Sequence, residues 1–272
     1  MEVVVEFVPR RYAFVVPRFG RGMGGAENLT AELASRLKDR GDNVEILTTC
    51  ARDNRTWANE YAPGRTDENG LSVTRFTVDP RNLESWIPKQ IAISEGRSLS
   101  LDDQLAWMAE GVNSSGLYRH ILEHASKFDA IFFAPYLFPT TFWGSLICPA
   151  KSYLIPCLHD EAAAYTDVVQ SMFRQVRGAL FNAGPERDLA AWLYEDVPGG
   201  EVGMGFVAPS PEEVKGLSPF FEEDFQYLLY LGRKETGKNA QLLIDYFCGF
   251  KESSPDAGDL RLVIAGGGSF ED

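Results

Sequence analysis

Short apolar runs alternate along the chain with longer segments in which apolar residues recur every three to four positions. The first run, Tyr12–Pro17, predicts a strand, and the next segment, Ala26–Arg40, predicts a helix that ends at Gly41. The leucines on one stripe of that helix are Leu29, Leu33 and Leu37. Further strands are expected at Val44–Thr49, Leu71–Val78, Ala130–Ala134, Ser152–Cys157, Ala179–Phe181 and Val202–Val207. Helices are expected over 85–127, with breaks near Gly96 and Gly111, and over Glu186–Tyr194. This alternation predicts an α/β fold with a Rossmann-like parallel sheet covered on both faces.

The amino-acid composition changes at Ala208–Asp224. This segment is rich in proline and acidic residues, which predicts an interdomain linker. A second unit then follows, with strand Tyr227–Leu231, helix Ala240–Phe250, strand Leu260–Ala265 and three glycines. One strand–helix–strand unit cannot bury both faces of a sheet, so it predicts the incomplete start of a second Rossmann-like domain. The expected domains are an extension at 1–10, a Rossmann-like domain at 11–207, a linker at 208–224 and the incomplete domain at 225–272.

Charge and cysteine content narrow the function classes. Asp and Glu number 39 against 26 Lys and Arg, a net charge of −13, which argues against a nucleic-acid partner because such proteins need a basic surface. The four cysteines are far apart and form no CxxC pair, as expected of a reduced cytoplasmic protein. The uncharged stretch 130–150 is long enough to cross a bilayer, but its three prolines favour a strand, a loop and a short helix. At most a peripheral membrane contact is expected.

A glycine-rich loop, FGRGMGGAE at 19–27, joins the first strand to its helix. Gly20, Gly22 and Gly25 fit G-x-G-x-x-G, the dinucleotide fingerprint, but that interpretation also needs an acidic residue at the end of the second strand. Asp53 lies three residues too late for this role. The alternatives are an anion site at the helix N-terminus and a purely structural turn.

The order of motifs resembles glycosyltransferase family 4, the two-Rossmann-domain (GT-B) group 1 glycosyl transferases. The loop Gly24-Gly25-Ala26-Glu27 resembles the family's GGAE loop, SYLIPCLHDE at 152–161 resembles the strand that ends in its active-site histidine, and ALFNAGPERDL at 179–189 resembles the next strand and helix. The segment YLGRKETGKNAQLLIDYF at 230–247 resembles the donor-domain signature G-R-x4-K, and RLVIAGGG at 261–268 the strand after it.

The resemblance implies a retaining, metal-independent transferase, with no cofactor, that uses a nucleotide-diphosphate sugar in polysaccharide biosynthesis. Its acceptor would be a glycan, a lipid-linked molecule or a small molecule. His159 would be catalytic, Arg233, Lys238, Gly24 and Gly25 would bind the donor diphosphate, and Glu27, Asp160 and Glu161 would line the acceptor cleft.

The family's downstream E-x7-E segment is absent from this sequence. We therefore expect a donor domain cut short, weak donor binding, poor turnover, and self-association or a completing chain. The alternative functions are a non-catalytic remnant or partner subunit of a glycosyltransferase, and an NAD(P)-linked Rossmann oxidoreductase.

One further pattern, His120-Ile-Leu-Glu-His124, matches the inverted zinc-protease motif H-x-x-E-H. Its histidines fall on one helical face, but nothing downstream offers a third zinc ligand. The sequence therefore favours a plain crossover helix and no metal site.

Overall fold

The computed structural model describes residues 7–20, 24–203, 210–234, 236–254 and 257–268. The chain divides into two compact units, Met1–Phe206 and Val207–Asp272. The first unit contains an eight-stranded sheet and the second a two-stranded sheet.

The first unit is an α/β structure with a mostly parallel sheet. Its strands are β1 (Arg11–Val15), β2 (Asn43–Thr49), β3 (Gly64–Glu68), β4 (Leu71–Phe76), β5 (Ala130–Phe133), β6 (Ser152–Leu154), β7 (Gly178–Phe181) and β8 (Gly199–Glu201). Its helices are α1 (Gly25–Asp39), α2 (Leu83–Ser94), α3 (Leu101–Glu110), α4 (Ser115–His124), α5 (Pro139–Ser145), α6 (Asp167–Gln175) and α7 (Gly184–Tyr194). The strand order is β3-β4-β2-β1-β5-β6-β7-β8, and only β3 pairs antiparallel with its neighbour. The predicted Rossmann-like α/β sheet is confirmed at this level.

The sheet has apolar residues on both faces because its central strands β1 and β5 carry consecutive apolar residues. Along β1, Ala13 and Val15 enter a core with α3 to α7, whereas Phe14 and Val16 enter a second core on the opposite face. The second core includes Ala34 and the predicted leucine stripe of α1. The helix ends where expected, because Gly41 takes a φ of 104° that residues with a side chain rarely adopt.

Two parts of the sheet differ from the prediction. The strand expected at Val202–Val207 is wrong in its bounds: the strand lies at Gly199–Glu201, Val202 and Gly203 are outside it, and 204–207 fall outside the described residues. Strand β3 was not predicted because its sequence GRTDE is polar and its residues are mostly exposed, as an edge strand allows. The Asn69-Gly70 turn that pairs it with β4 is nevertheless a hairpin signal, and both residues have positive φ.

The uncharged stretch 130–150 forms β5, a loop and α5, as predicted. Among the residues that the structure describes, no helix combines the length and apolar character that a membrane crossing requires.

The second unit contains α8 (Pro211–Val214), β9 (Tyr227–Leu231), α9 (Ala240–Ser253) and β10 (Arg261–Ala265), with β9 and β10 parallel. The predicted strand–helix–strand order is confirmed. The single turn of α8 lies in the expected linker and begins with a capping box between Ser210 and Glu213.

Candidate active site

The carboxyl ends of β1 and β5 mark the point where the strand order reverses. From β1 the chain proceeds to β2 and β4 on one side, and it then returns to place β5 on the other side. In open α/β sheets, ligands bind in the crevice outside the strand ends at such a point. The segment that follows β1 leads into the glycine-rich loop, and the segments after β5, β6 and β7 emerge at the same edge.

The glycine loop ends at the N-terminus of α1. Gly24 is the N-cap in an extended conformation and Gly25 is the first helical residue; both are exposed, and no side-chain hydrogen bond caps the helix among the described residues. Gly22, one glycine of the dinucleotide fingerprint, falls outside the described residues, as do 21 and 23. A 15-residue helix presents its first backbone amides, and the positive end of its dipole, at this terminus. The terminus can therefore receive an anion.

An ion pair fixes the base of this loop. Arg18 donates from Nε to Oε1 of Glu27 at 2.9 Å, and its Nη2 lies 2.7 Å from the same oxygen. The Nη1 of Arg18 donates to the carbonyl oxygen of Arg52 at 3.1 Å. Both side chains of the pair are largely buried. A Cβ on Gly24 would lie 3.0 Å from Oε2 of Glu27, so the first glycine of the pair gives this carboxylate room. Glu27 is thus held by Arg18 rather than extended towards solvent.

The loop after β6 carries three of the predicted site residues. His159 and Asp160 are exposed, and Glu161 is half-buried. The Tyr136 hydroxyl donates to Oε1 of Glu161 at 2.8 Å, and the Tyr165 hydroxyl donates to Oδ1 of Asp160 at 2.6 Å. Burial is the main cause that raises the pKa of Tyr136, and the Glu161 carboxylate raises it further. The hydroxyl therefore stays protonated and acts as a donor. His159 is therefore an exposed residue of a loop whose two acidic residues accept hydrogen bonds from tyrosines.

A buried carboxylate joins the ends of β6 and β7. Glu186 in the first turn of α7 accepts a hydrogen bond from the backbone N–H of Leu158 at 2.6 Å and another from the N–H of Asn182 at 2.5 Å. The Asn182 side chain donates from Nδ2 to the Cys157 sulfur at 3.6 Å, and its own Oδ1 is buried with no hydrogen-bond partner among the described residues. Glu186 thus positions the loop that bears His159.

Cys157 lies in the segment that follows β6. It is half-buried at the carboxyl edge and has a φ of 51°, which is unusual for a residue with a side chain. Burial raises the pKa of its thiol to about 11. The thiol is therefore protonated at neutral pH, so it is not a thiolate nucleophile.

In the second unit, Arg233 and Lys238 lie in the segment that joins β9 to α9. Both are exposed, and Lys238 ends the short helical turn Thr236–Lys238 just before α9. The Tyr230 hydroxyl donates to the backbone carbonyl of Arg233 at 2.8 Å, which fixes the start of the segment.

Asp53, the acidic residue nearest to the end of β2, accepts hydrogen bonds at Oδ1 from the N–H groups of Arg55 and Thr56 at 2.9 and 2.8 Å. These two hydrogen bonds lower the pKa of Asp53, and the bond from Thr56 has the larger effect. They also hold this oxygen in a local turn.

His120 and His124 stack with ring centroids 4.2 Å apart on α4, which leads directly towards β5 as the crossover interpretation predicts. Nδ1–H of His124 donates to the carbonyl of His120. Within the described ranges, no group of three or more His, Cys, Asp or Glu side chains is placed to hold a metal ion.

The contacts of Arg18 and Glu186 were not predicted. The partners of Arg18 are Glu27, in the glycine-rich loop, and Arg52, just after β2. The charge of Arg18 immediately before that loop was the signal that could have identified it. Glu186 binds backbone donors 28 and 4 residues away, and sequence gives no signal for the longer contact.

No protein-family model matches this chain, and no curated protein is similar to it at a significant level.

Proposed function

We propose that this chain is a glycosyltransferase of the two-Rossmann-domain (GT-B) type, which binds a nucleotide-diphosphate sugar and transfers the sugar to an acceptor hydroxyl. The observation that carries the proposal is the exposed N-terminus of α1 at Gly24-Gly25, which no described side chain caps, at the point where the strand order reverses. A net charge of −13 makes general attraction of anions unfavourable, so phosphate binding requires local devices of this kind.

The chemistry assigns a role to each predicted residue. In sugar transfer, the bond from the anomeric carbon to the diphosphate oxygen breaks and a bond to the acceptor oxygen forms, while the acceptor hydroxyl loses its proton. Negative charge therefore grows on the departing diphosphate. In the first unit, we assign the backbone amides at Gly24-Gly25 to the stabilisation of such a charge. In the second unit, we assign Arg233 and Lys238 to diphosphate binding.

His159 is assigned to hydrogen bonding with the sugar or to orienting the acceptor. Its exposure at the carboxyl edge supports this role, because a group that contacts substrate must be reachable. Glu27 is assigned a positioning role through Arg18, since its carboxylate is already paired with the Arg18 guanidinium. Asp160 and Glu161 are assigned to the acceptor side of the site.

The state of Asp53 favours this proposal over a nicotinamide enzyme. A dinucleotide site needs a carboxylate near the end of β2 to bind the ribose hydroxyls. The nearest one directs Oδ1 to its own turn, and Thr49, the last residue of β2, donates its hydroxyl to the Pro17 carbonyl at 2.6 Å.

The test compares nucleoside diphosphates with nucleosides. Arg233→Ala and Lys238→Ala should each weaken binding of UDP or GDP by about 10- to 100-fold, because a charge-assisted hydrogen bond contributes about 1.5–3 kcal/mol. Binding of uridine or guanosine should change little. Isothermal titration calorimetry measures both.

Lys215→Ala, which removes an exposed lysine from the same unit, is the matched control and should leave binding unchanged. An equal loss for the diphosphate and the nucleoside would show that Arg233 and Lys238 do not contact the phosphates.

A further inference from the structure

The surface beside the His159 loop carries two strongly exposed aromatic side chains in contact with each other. Tyr165 is 52% exposed and Trp192 is 70% exposed, and their rings meet edge to face with centroids 6.0 Å apart. Exposed large aromatic groups in contact are unusual on a soluble surface and mark binding sites. We propose that Tyr165 and Trp192 form a carbohydrate subsite, which binds a sugar ring of the acceptor.

The inference rests on the proposed function and specifies its acceptor. The C–H groups on one face of a sugar ring carry partial positive charge, and an aromatic ring presents a negative face to them. Its hydroxyl groups remain at the edge of the ring and need hydrogen-bonding partners. An aromatic surface beside fixed polar groups therefore matches a sugar better than it matches a lipid chain.

Asp160 supplies such a polar group next to the aromatic pair. The hydroxyl of Tyr165 donates to Oδ1 of Asp160 at 2.6 Å. This hydrogen bond is the main cause that raises the pKa of Tyr165. The contact fixes the tyrosine ring against the loop and orients the carboxylate. A carboxylate has about four acceptor positions, so Asp160 can still accept hydrogen bonds from sugar hydroxyls.

A cavity of about 450 Å³ has Tyr165 on its wall. This volume falls within the range of small-molecule sites. Its polar lining comprises Arg97, Ser98, Gln104, Thr166 and Asp167.

Hydrogen bonds within the wall keep its shape. Gln104 donates from Nε2 to Oδ2 of Asp167 at 2.9 Å and accepts at Oε1 from the N–H of Val168 at 3.3 Å. A wall that is fixed before the ligand arrives favours binding, because less side-chain freedom is lost on association.

The subsite belongs to the same loop as the predicted catalytic residue. His159, Asp160 and Tyr165 all lie in the segment between β6 and the start of α6 at Asp167. A sugar held by Tyr165 would therefore bind to the segment that carries His159. This assigns the acceptor to the carbohydrates, whether free or at the end of a lipid-linked molecule.

The experiment titrates the protein with methyl α- and β-glycosides of glucose, galactose, mannose and N-acetylglucosamine, and with disaccharides of the same sugars. Saturation-transfer NMR detects binding, and tryptophan fluorescence gives the dissociation constant. At least one glycoside should bind. Trp192→Ala and Tyr165→Ala should each weaken that binding by at least about fivefold, because ring stacking is lost. Tyr165→Phe, which keeps the ring but loses the bond to Asp160, should have a smaller effect.

Tyr246→Ala is the matched control, because Tyr246 is 68% exposed but lies in the second unit. Absence of glycoside binding, or equal binding by the wild type and the Trp192 and Tyr165 variants, would overturn the subsite. Titration with UDP and GDP separates the two proposals. Diphosphate binding without glycoside binding removes the subsite alone, whereas glycoside binding without diphosphate binding keeps the sugar site and removes the transferase.

Discussion

Substitution of Glu186 by Ala tests how the candidate site is held together. The buried carboxylate accepts hydrogen bonds from the N–H groups of Leu158 and Asn182, which follow β6 and β7. Removing it leaves both donors without their acceptor, next to the loop that carries His159. No other carboxylate in the described ranges makes this pair of contacts.

The expected loss of stability follows from these two bonds. A buried donor that loses its partner costs about 1–3 kcal/mol, so two donors give about 2–6 kcal/mol for Glu186→Ala. In a unit of about 200 residues, each kcal/mol lowers the melting temperature by about 2–4 °C. Glu186→Gln keeps one acceptor oxygen but directs an NH₂ group at the second donor, so its loss should be smaller than that of Ala.

Tryptophan fluorescence is a suitable measurement, because all five tryptophans lie in the first unit. They are Trp57, Trp86, Trp107, Trp143 and Trp192. Urea unfolding should give a lower midpoint for Glu186→Ala with an unchanged slope, which indicates a change in stability rather than in compactness. Asp188→Ala is the matched control, since Asp188 is an exposed acid on the same helix. If Glu186→Ala unfolds at the same urea concentration as the wild type, or if the control loses as much, the reasoning fails.

Three further predictions concern single side chains. Burial is the main cause that lowers the pKa of His120, and the charge of His124 lowers it further. The folded state therefore binds fewer protons than the unfolded state, and the free energy of unfolding should fall as the pH drops below about 6.5. This pH slope should shrink in His120→Phe, and an unchanged slope in melting curves between pH 7.5 and 5 would contradict it. Iodoacetamide at pH 8 should alkylate exposed Cys248 much faster than Cys157, whose pKa is about 11, and mass spectrometry showing equal rates would refute this order. Finally, His159→Ala should abolish sugar transfer while leaving the melting temperature unchanged, because the side chain is exposed; a large loss of stability would assign His159 a structural role.

The sheet could be predicted from sequence because its inner strands contain consecutive apolar residues, as in Tyr12–Pro17 and in Ile46-Leu47 of the predicted strand Val44–Thr49. Such residues fit a parallel sheet buried on both faces. The edge strands lacked this signal. Strand β3 is polar. Strand β8 consists of Gly199, Gly200 and Glu201, and the strand was predicted instead at the more apolar segment Val202–Val207 that follows it.

The position of a candidate site residue was predictable where it lies in the segment that follows a parallel strand. His159 and Gly24 lie in the segments after β6 and β1, and parallel strands deliver their carboxyl ends to one edge. The contacts that hold these segments in place were not predictable from the sequence. The bonds from Glu186 to Leu158 and from Arg18 to the Arg52 carbonyl depend on how separate strands are arranged in space, and spacing along the chain carries no information about them.

Binding of nucleoside diphosphates is the most direct test of the central claim. UDP, GDP, dTDP, ADP and NAD⁺ should each be added at millimolar concentration while unfolding is followed by differential scanning calorimetry. A ligand that binds only the folded state at 100 times its Kd adds about 2.7 kcal/mol of stability. The account predicts that at least one nucleoside diphosphate raises the melting temperature by several degrees and that NAD⁺ does not. A shift with NAD⁺ alone, or no shift with any diphosphate, would contradict it.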